Sequence, residues 1–380
     1  MQIDEVKTHL HIIFGADNMN TLSIARSLGE ADIRPLVIMA KDGNIPLIKY
    51  CRYVKQIRTF STWEDAFVYL VSFANSTCKP FVYTSDDGNQ CLLDQHYDEL
   101  IDGFYFFNGK KSGQISYYTN KDAQCKLAKQ CGFITPKFEV VERGILPKTL
   151  SYPVFTKTLN PCMNGWKKDV TICYSSEELK NAYEHMVSEK FILQEYVEKI
   201  GKYSVQGLSI DGGKNILMPF ERMYLRFSPT SFGGYMYYQP FVDNDLREKI
   251  TQMIQKISYT GCFEIEFLVD KYSQLYFLEI NLRFSASNYG ITYGGVNLPY
   301  IWSRSILSGS IRTDDMSIKQ NRYYVMNEGS DISYIKQVGL FSWIRQFIHA
   351  DSLYLWHSND IMPAISFWWN KALRKLYKIM

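Results

Sequence analysis

"LYFLEINLRFSASNYG", residues Leu275–Gly290, is the stretch on which the fold turns. Successive side chains of a strand point to opposite faces, so Glu279, Asn281 and Arg283 share one face and Leu278, Ile280 and Leu282 take the other. Alternation alone also describes a solvated strand, and this segment by itself leaves both readings open. Upstream, "GCFEIEFLVD", Gly261–Asp270, alternates in the same way, with Glu264 and Glu266 against Phe263, Ile265 and Phe267. "KYSQ", Lys271–Gln274, reads as the turn of an antiparallel hairpin. A four-residue loop pairs Asp270 with Leu275, and counting back sets Glu266 opposite Glu279 and Glu264 opposite Asn281. Like charges facing each other across a ladder are destabilising, so this patch of three carboxylates and an amide calls for a compensating cation. Mg²⁺ suits it, because that ion takes one or two carboxylates together with substrate phosphates. Arg283, further along the same face, offers a planar fork for a phosphate or carboxylate.

The rest of the 380 residues bounds the answer. The chain is long enough for two or three domains with real cores. Its 46% hydrophobic and 21% charged residues describe a globular protein, and a net charge of +3 is too small to argue for a nucleic-acid partner. Eight cysteines show no CxxC spacing and no pairing with histidine, which argues against zinc and for a reducing, cytoplasmic setting. The N-terminus puts two acids before a short apolar run, unlike a signal peptide. No apolar run approaches the roughly 20 residues that span a bilayer.

"HLHIIFGADNMNTLSIARSLGEADIRPLVIMA" reads strand, glycine turn, helix, strand, the opening of a doubly wound parallel sheet. Its turn, "GADNMN", lacks the GxGxxG spacing of a nicotinamide dinucleotide site. "KPFVYTSDD" ends a parallel-type strand at Ser85 and Asp86, which either cap the next helix or sit where α/β sheets bind ligands. "TNKDAQCKLAKQCGFITP" begins a new unit as a capped helix starting near Lys121. "YPVFTKTLNP" is a strand with Lys157 inside it, and a lysine there is costly unless it meets an anion. "EKFILQEYVEK" is another strand, ending in Glu195, Tyr196, Val197 and Glu198. Two strands around "DGG" and the helix "NDLREKITQMIQKISYTG" lead into the hairpin.

This order of parts resembles the ATP-grasp superfamily, in particular its carboxylate–amine ligase branch with carbamoyl-phosphate-synthase-like and D-aspartate-ligase-like enzymes. The resemblance covers roughly residues 8 to 300, and "EIEF…FLEINLR" is its most specific part. It implies an α/β and α+β protein. A Rossmann-like pre-ATP-grasp domain would span 1–115. An ATP-grasp domain, a lid at about 125–200 plus an antiparallel-sheet subdomain, would span 116–310, and a C-terminal helical extension 311–380. It implies that Glu266, Glu279 and Asn281 hold Mg²⁺, or Mn²⁺ in its place, between the phosphates of ATP. Arg283 would steady the transferring phosphoryl group, and Lys121 and Lys157 would reach the ATP phosphates. Glu195, Tyr196 and Val197 would line the adenine pocket, and Glu198 would accept the ribose hydroxyls. The activity implied is ATP-dependent joining of a carboxylate to an amine through an acyl phosphate, with a non-catalytic nucleotide binder or an ATP-grasp kinase or carboxylase as alternatives.

The chemistry agrees with that resemblance. A carboxylate is a poor acyl donor until phosphorylation supplies a leaving group, and the protein's task is then positioning and charge neutralisation. Family lids are glycine-rich, whereas "NPCMNGWKKDVTICYSSEEL" has only Gly165, with Lys167 and Lys168 as substitutes for flexibility. In "RMYLRFSPTSFGGY", Arg226 is placed to grip a substrate carboxylate bidentately, with a surface arginine as the plain alternative. At the C-terminus, a helix opened by Pro363 would align Ile365, Trp368, Ala372, Leu376 and Ile379. This stripe is expected to pack on the body, with peripheral contact to a membrane through the basic helix as the alternative.

Overall fold

The computed structural model describes residues 4–41, 45–159 and 169–377. Among the described residues fifteen strands form three sheets. The first sheet is parallel: β1 (His11–Phe14), β2 (Leu36–Ala40), β3 (Gln56–Phe60) and β4 (Phe81–Thr84), in the order β3-β2-β1-β4. β1 and β4 are buried along their whole length, as the apolar runs "HIIF" and "FVYT" require of strands covered on both faces. The second sheet joins β5 (Phe138–Glu142), β6 (Val154–Thr158), β7 (Ile172–Cys173) and β8 (Lys190–Glu195) in the order β5-β8-β6-β7, all antiparallel.

The third sheet is the frame. It contains β9 (Lys199–Ile210), β10 (Asn215–Tyr224), β11 (Tyr235–Pro240), β12 (Gly261–Asp270), β13 (Leu275–Asn281), β14 (Tyr323–Met326) and β15 (Ser352–Leu353). Their order is β13-β12-β9-β10-β11-β14-β15, so two strands from beyond residue 311 extend the sheet that carries the hairpin. The turn between β9 and β10 uses Gly212 and Gly213 at positive φ, where a side chain would be strained. Trp302, fully buried, welds this sheet to the parallel one through Tyr83 and Phe107, with ring centroids 5.4 and 4.7 Å away.

The C-terminal segment closes back onto the first helix, Met19–Glu30. Arg26 and Asp360, each 1% exposed, pair at 2.9 Å, and the remaining guanidinium donors go to the carbonyls of Tyr354, Leu355 and Asp360. The terminal helix Met362–Tyr377 packs through Ala364, Phe367 and Trp368 on Leu47, Leu355 and Trp356. This corrects the expected packing stripe. Ile365 and Ala372 are exposed, whereas Trp368 of the stripe does pack on the body, beside Ala364 and Phe367. The side chains of Leu376 and Ile379 lie outside the described residues. No helix among the described residues is long and apolar enough to cross a membrane.

Candidate active site

The hairpin brings the acidic row together. Glu264 pairs with Asn281 and Glu266 with Glu279, as counted from the sequence, but the route differs. Val269, not Asp270, pairs with Leu275, so the loop is longer by one residue. A bulge between Glu266 and Phe267 takes up the difference, since Phe267 faces Phe277 and Leu278 is the extra residue. The bulge also changes a face. Leu278, expected opposite Glu279, lines the same cavity as Glu279, while Phe277 turns inward against Phe133 and Phe267.

That cavity holds about 600 Å³ and lies between the second and third sheets. Leu268 and Leu278 form an apolar floor, and Phe155, Lys157 and Thr158 from β6 with Gln194–Val197 at the end of β8 form one wall. Lys199, Lys202 and the loop Pro229–Phe232 form another, and Asp86, Asp87 and Lys121 close the far end. Lys121, Lys157, Glu195, Tyr196, Val197, Glu266, Glu279, Asn281 and Arg283 therefore meet in one place. Glu198 is exposed and outside the lining. Gly165, Lys167 and Lys168 lie outside the described residues.

Lys121 opens the helix Lys121–Gln130, capped by Asn120, and the helix is fixed to the exposed edge of β13 by one side chain. Gln124 donates to the Ile280 carbonyl at 2.9 Å and accepts from its N–H at 3.1 Å, satisfying an edge that would otherwise be unpaired. This docking sets the Lys121 ammonium directly against the Glu279 carboxylate. Lys202 of β9 pairs with Glu266 at 2.8 Å, and Arg222 of β10 pairs with Glu264. The row is thus already answered by side-chain cations, which supply compensation that the sequence reading had sought in a bound ion. Lys202 and Arg222 escape a reading of the hairpin because they reach it from β9 and its far neighbour β10. A lysine inside "KYSV" flanked by small and aromatic residues was the available signal.

These pairs set the proton affinities. Burial pushes the Glu279 carboxyl up, but the ammonium of Lys121, with Lys157 and Lys202 behind it, outweighs burial and holds it at about 2. Lys157 goes the opposite way: burial and the neighbouring Lys121 charge lower it to about 8. Among the described residues it has no ion-pair partner. Burial also lowers Lys199 to about 8. An anion entering here meets two ammonium groups that the protein has made hungry for it.

Arg283 stands at the end of the row in a fixed pose. Its Nε lies 3.0 Å from Asp87 Oδ1, and a second nitrogen donates to Asp87 Oδ2 at 3.1 Å and to Asn281 Oδ1 at 3.2 Å. Asp86 caps the helix Asp87–Gln95, the first of the two roles suggested for "SDD", and its neighbour Asp87 orients the arginine; both acids line the cavity. Beyond the row lies a second cavity of about 390 Å³, reached by Lys202, Glu266, Glu279, Asn281 and Arg283 and lined further by Asn20, Gly233, Gly234, Ser285 and Ser287.

Arg226 is absent from both cavities, a correction to its expected substrate contact. It is 4% exposed and bound to Asp331 and Gln346, with its plane 4.8 Å from the Tyr235 ring. Its partners are more than a hundred residues downstream, so local sequence could not show that its charge is spent on fixing the loop.

The residues fit Mg²⁺. Glu266, Glu279 and Asn281 present hard oxygen donors side by side. No cluster of three or more His, Cys, Asp or Glu among the described residues could hold a metal unaided, so phosphate oxygens would have to complete the shell.

No family model matches the chain. Over 329 residues, 77% of this chain and 76% of the relative, it is 24% identical to the D-aspartate ligase of Enterococcus faecium. The solved L-amino acid ligase from Bacillus licheniformis superposes with a TM-score of 0.59 at 17% identity, covering 80% of this chain and 77% of that one. The biotin carboxylase domain of Hydrogenobacter thermophilus 2-oxoglutarate carboxylase, in complex with MgADP, ADP and bicarbonate, gives 0.59 at 18% identity over 82% and 73%.

Proposed function

On the premise of the ATP-grasp fold, which this chain has, we propose that it is an ATP-dependent ligase joining a carboxylate to an amine through an acyl phosphate. One observation carries this reading: the row Glu266, Glu279, Asn281 and Arg283 stands between a large cavity that holds the buried ammonium groups of Lys157 and Lys199 and a smaller polar one. The domain organisation 1–115, 116–310 and 311–380 belongs to the same proposal.

In this reading the adenine lies on Leu268 and Leu278 beside Glu195, Tyr196 and Val197. The N–H groups of Glu195 and Tyr196 already donate to Lys137 and Pro153, so base recognition by a main-chain donor falls to Val197. Lys121 and Lys157 receive the phosphates. Glu266, Glu279 and Asn281 would hold Mg²⁺, which supplies charge neutralisation at the phosphoryl oxygens. As phosphates arrive, Lys121 exchanges its carboxylate partner for them. Arg283, held by Asp87, keeps its orientation while the phosphoryl group passes to the acyl substrate in the smaller cavity. The amine then attacks the acyl carbon and phosphate leaves. An amino acid is the substrate class we propose for one of the two partners, since the relatives are named a D-aspartate ligase and an L-amino acid ligase. A peripheral contact of the terminal helix with a membrane surface, otherwise in a cytoplasmic setting, completes the proposal.

The test is calorimetric and then catalytic. Mg²⁺ with ATP should raise the thermal midpoint more than either alone, and ADP should appear when acids and amines are supplied in combination. Binding without ADP release across a broad panel would assign the chain to the non-catalytic nucleotide binders.

A further inference from the structure

A further charged cavity lies at the entrances of the parallel strands, away from the acidic row. It holds about 440 Å³ and gathers residues that precede three neighbouring strands, β1, β2 and β3. Lys7 comes before β1, Arg34 before β2, and Arg52 and Lys55 before β3. Among the described residues Asp32 is the one carboxylate of the lining, and it pairs with Lys7 at 3.3 Å. Arg52 donates to the Asn359 carbonyl at 2.9 Å, a neutral partner that leaves its charge in place. The side chains of Arg34 and Lys55 have no hydrogen-bond or ion-pair partner among the described residues. The Lys55 N–H donates to the Pro35 carbonyl at 2.9 Å, so these two cations leave the chain at neighbouring points. Glu30 and Asp360 lie outside the lining and are taken up by Tyr289 and by Arg26.

Four cations against one carboxylate give the lining a net charge of +3, with neither of its histidines counted. The first helix, Met19–Glu30, ends beside the cavity, and its C-terminus offsets only about half a unit. Roughly two and a half positive charges are left, which is more than complementing a helix end requires. His11 adds none: it donates Nε2–H to the Val6 carbonyl at 2.9 Å, accepts from the Tyr83 hydroxyl at 2.8 Å, and burial lowers it to about 4. An apolar wall faces the charges. Tyr53 lies flat on Gly29, where a Cβ would come within 2.2 Å of its ring, and Leu10 and Ile33 stand beside it.

We propose that this cavity binds a phosphate monoester, its phosphate on Arg34 and Lys55 and its organic part against Tyr53. A monoester carries close to two negative charges at neutral pH on one compact group, which matches two unpartnered cations at neighbouring points. A dicarboxylate has the same charge but holds it at two separated ends. Free phosphate would fill only a small part of the volume. The proposal is independent of the ligase reading. The first helix has Asn20 in the smaller cavity of the acidic row and Gly29 here. Nine residues of helix put about 14 Å between them, so an occupant of this cavity does not displace ATP or its co-substrates by contact.

The test is titration calorimetry of the full chain with ribose 5-phosphate, inorganic phosphate, sulfate and succinate, with Mg²⁺ and ATP present throughout. Ribose 5-phosphate is expected to bind one to one, more tightly than the other three and less so at high salt. Arg34→Ala/Lys55→Ala should weaken it about tenfold or more, as loss of charge-assisted hydrogen bonds does. Both side chains are exposed and unpartnered, so the variant should keep the thermal midpoint and the Mg²⁺–ATP shift of wild type. No binding of ribose 5-phosphate at millimolar concentration, equal binding by the variant, or equal affinity for sulfate or succinate would overturn the proposal. Absence of the Mg²⁺–ATP shift in both proteins, with the difference in ribose 5-phosphate binding intact, would count against the ligase reading alone.

Discussion

Lys121 and Glu279, 158 residues apart, close on each other at the end of a hairpin edge, and neither charge is free while they do. In the proposed reading the pair couples the two partners that a nucleotide would bring, because phosphate would draw the lysine away and a divalent ion would take the carboxylate. Glu279→Gln removes the ion's ligand and leaves Lys121 its hydrogen-bond acceptor. Turnover dependent on Mg²⁺ should fall by about 100-fold or more, while the circular dichroism spectrum stays that of wild type. Wild-type turnover in this variant would sink the metal assignment.

Lys157 gives a pH signature. Its folded-state value of about 8 lies below its ordinary one, so it loses its proton as pH rises through 8 in the nucleotide-free protein. Phosphate beside it restores the charged form. ATP binding should therefore take up a proton near pH 8 to 9 and none near pH 6.5, measured by calorimetry in buffers of different ionisation enthalpy. Lys157→Met should shrink the uptake, and an uptake unchanged by the substitution would transfer the effect to Lys199. For folding, the sign follows from the unfolded chain binding more protons between the two values. Stability from these lysines is depressed below pH 8 and recovers as pH rises from 8 towards 10.5.

Arg226 should behave as a structural residue. Its buried pair with Asp331 loses one member in Arg226→Ala, leaving Asp331 charged at 0% exposure. A cost of about 3–5 kcal/mol is expected in urea unfolding. The Michaelis constants for acid and amine should change little in whatever fraction stays folded, and a selective rise in one of them at unchanged stability would restore the substrate role.

Gln124 should matter beyond its size. Gln124→Leu strands the N–H and C=O of Ile280 and loosens the helix that aims Lys121. Unsatisfied groups of this kind cost about 1–3 kcal/mol each, so a drop of that order in unfolding free energy, together with weaker ATP binding in a titration, is the expected result.

The acidic row was legible in the sequence because side-chain alternation survives errors in loop length. The loop runs one residue longer than counted, and the bulge at Leu278 restores Glu266 to Glu279. A count of residues cannot see two compensating irregularities, so the right pairing came with the wrong face for Leu278. The parallel sheet was legible for a different reason: "HIIF", "LVIMA" and "FVYT" are short, mostly apolar runs without alternation, the pattern of strands covered on both sides. What stayed hidden depends on contacts across long stretches of chain. Lys202, Arg222 and Asp87 become site residues only once β9, β10 and the helix after β4 are brought to the hairpin, and Arg226 leaves the site only when Asp331 reaches it. The terminal stripe was real as a pattern, but periodicity records which residues are apolar and not which side meets the protein.

The clamp of Arg26 on Asp360 has a consequence for the order of synthesis. The first helix is made early, yet its buried guanidinium has no counter-charge or carbonyl acceptors until residues 354–360 have left the ribosome. The parallel sheet can form its hydrogen bonds during translation, but the face of that helix must remain hydrated until residue 360 has emerged. Completion of this helix's packing therefore waits on residues 354–360, and a nascent chain stalled before residue 354 should expose the helix to protease while one extended past residue 377 protects it.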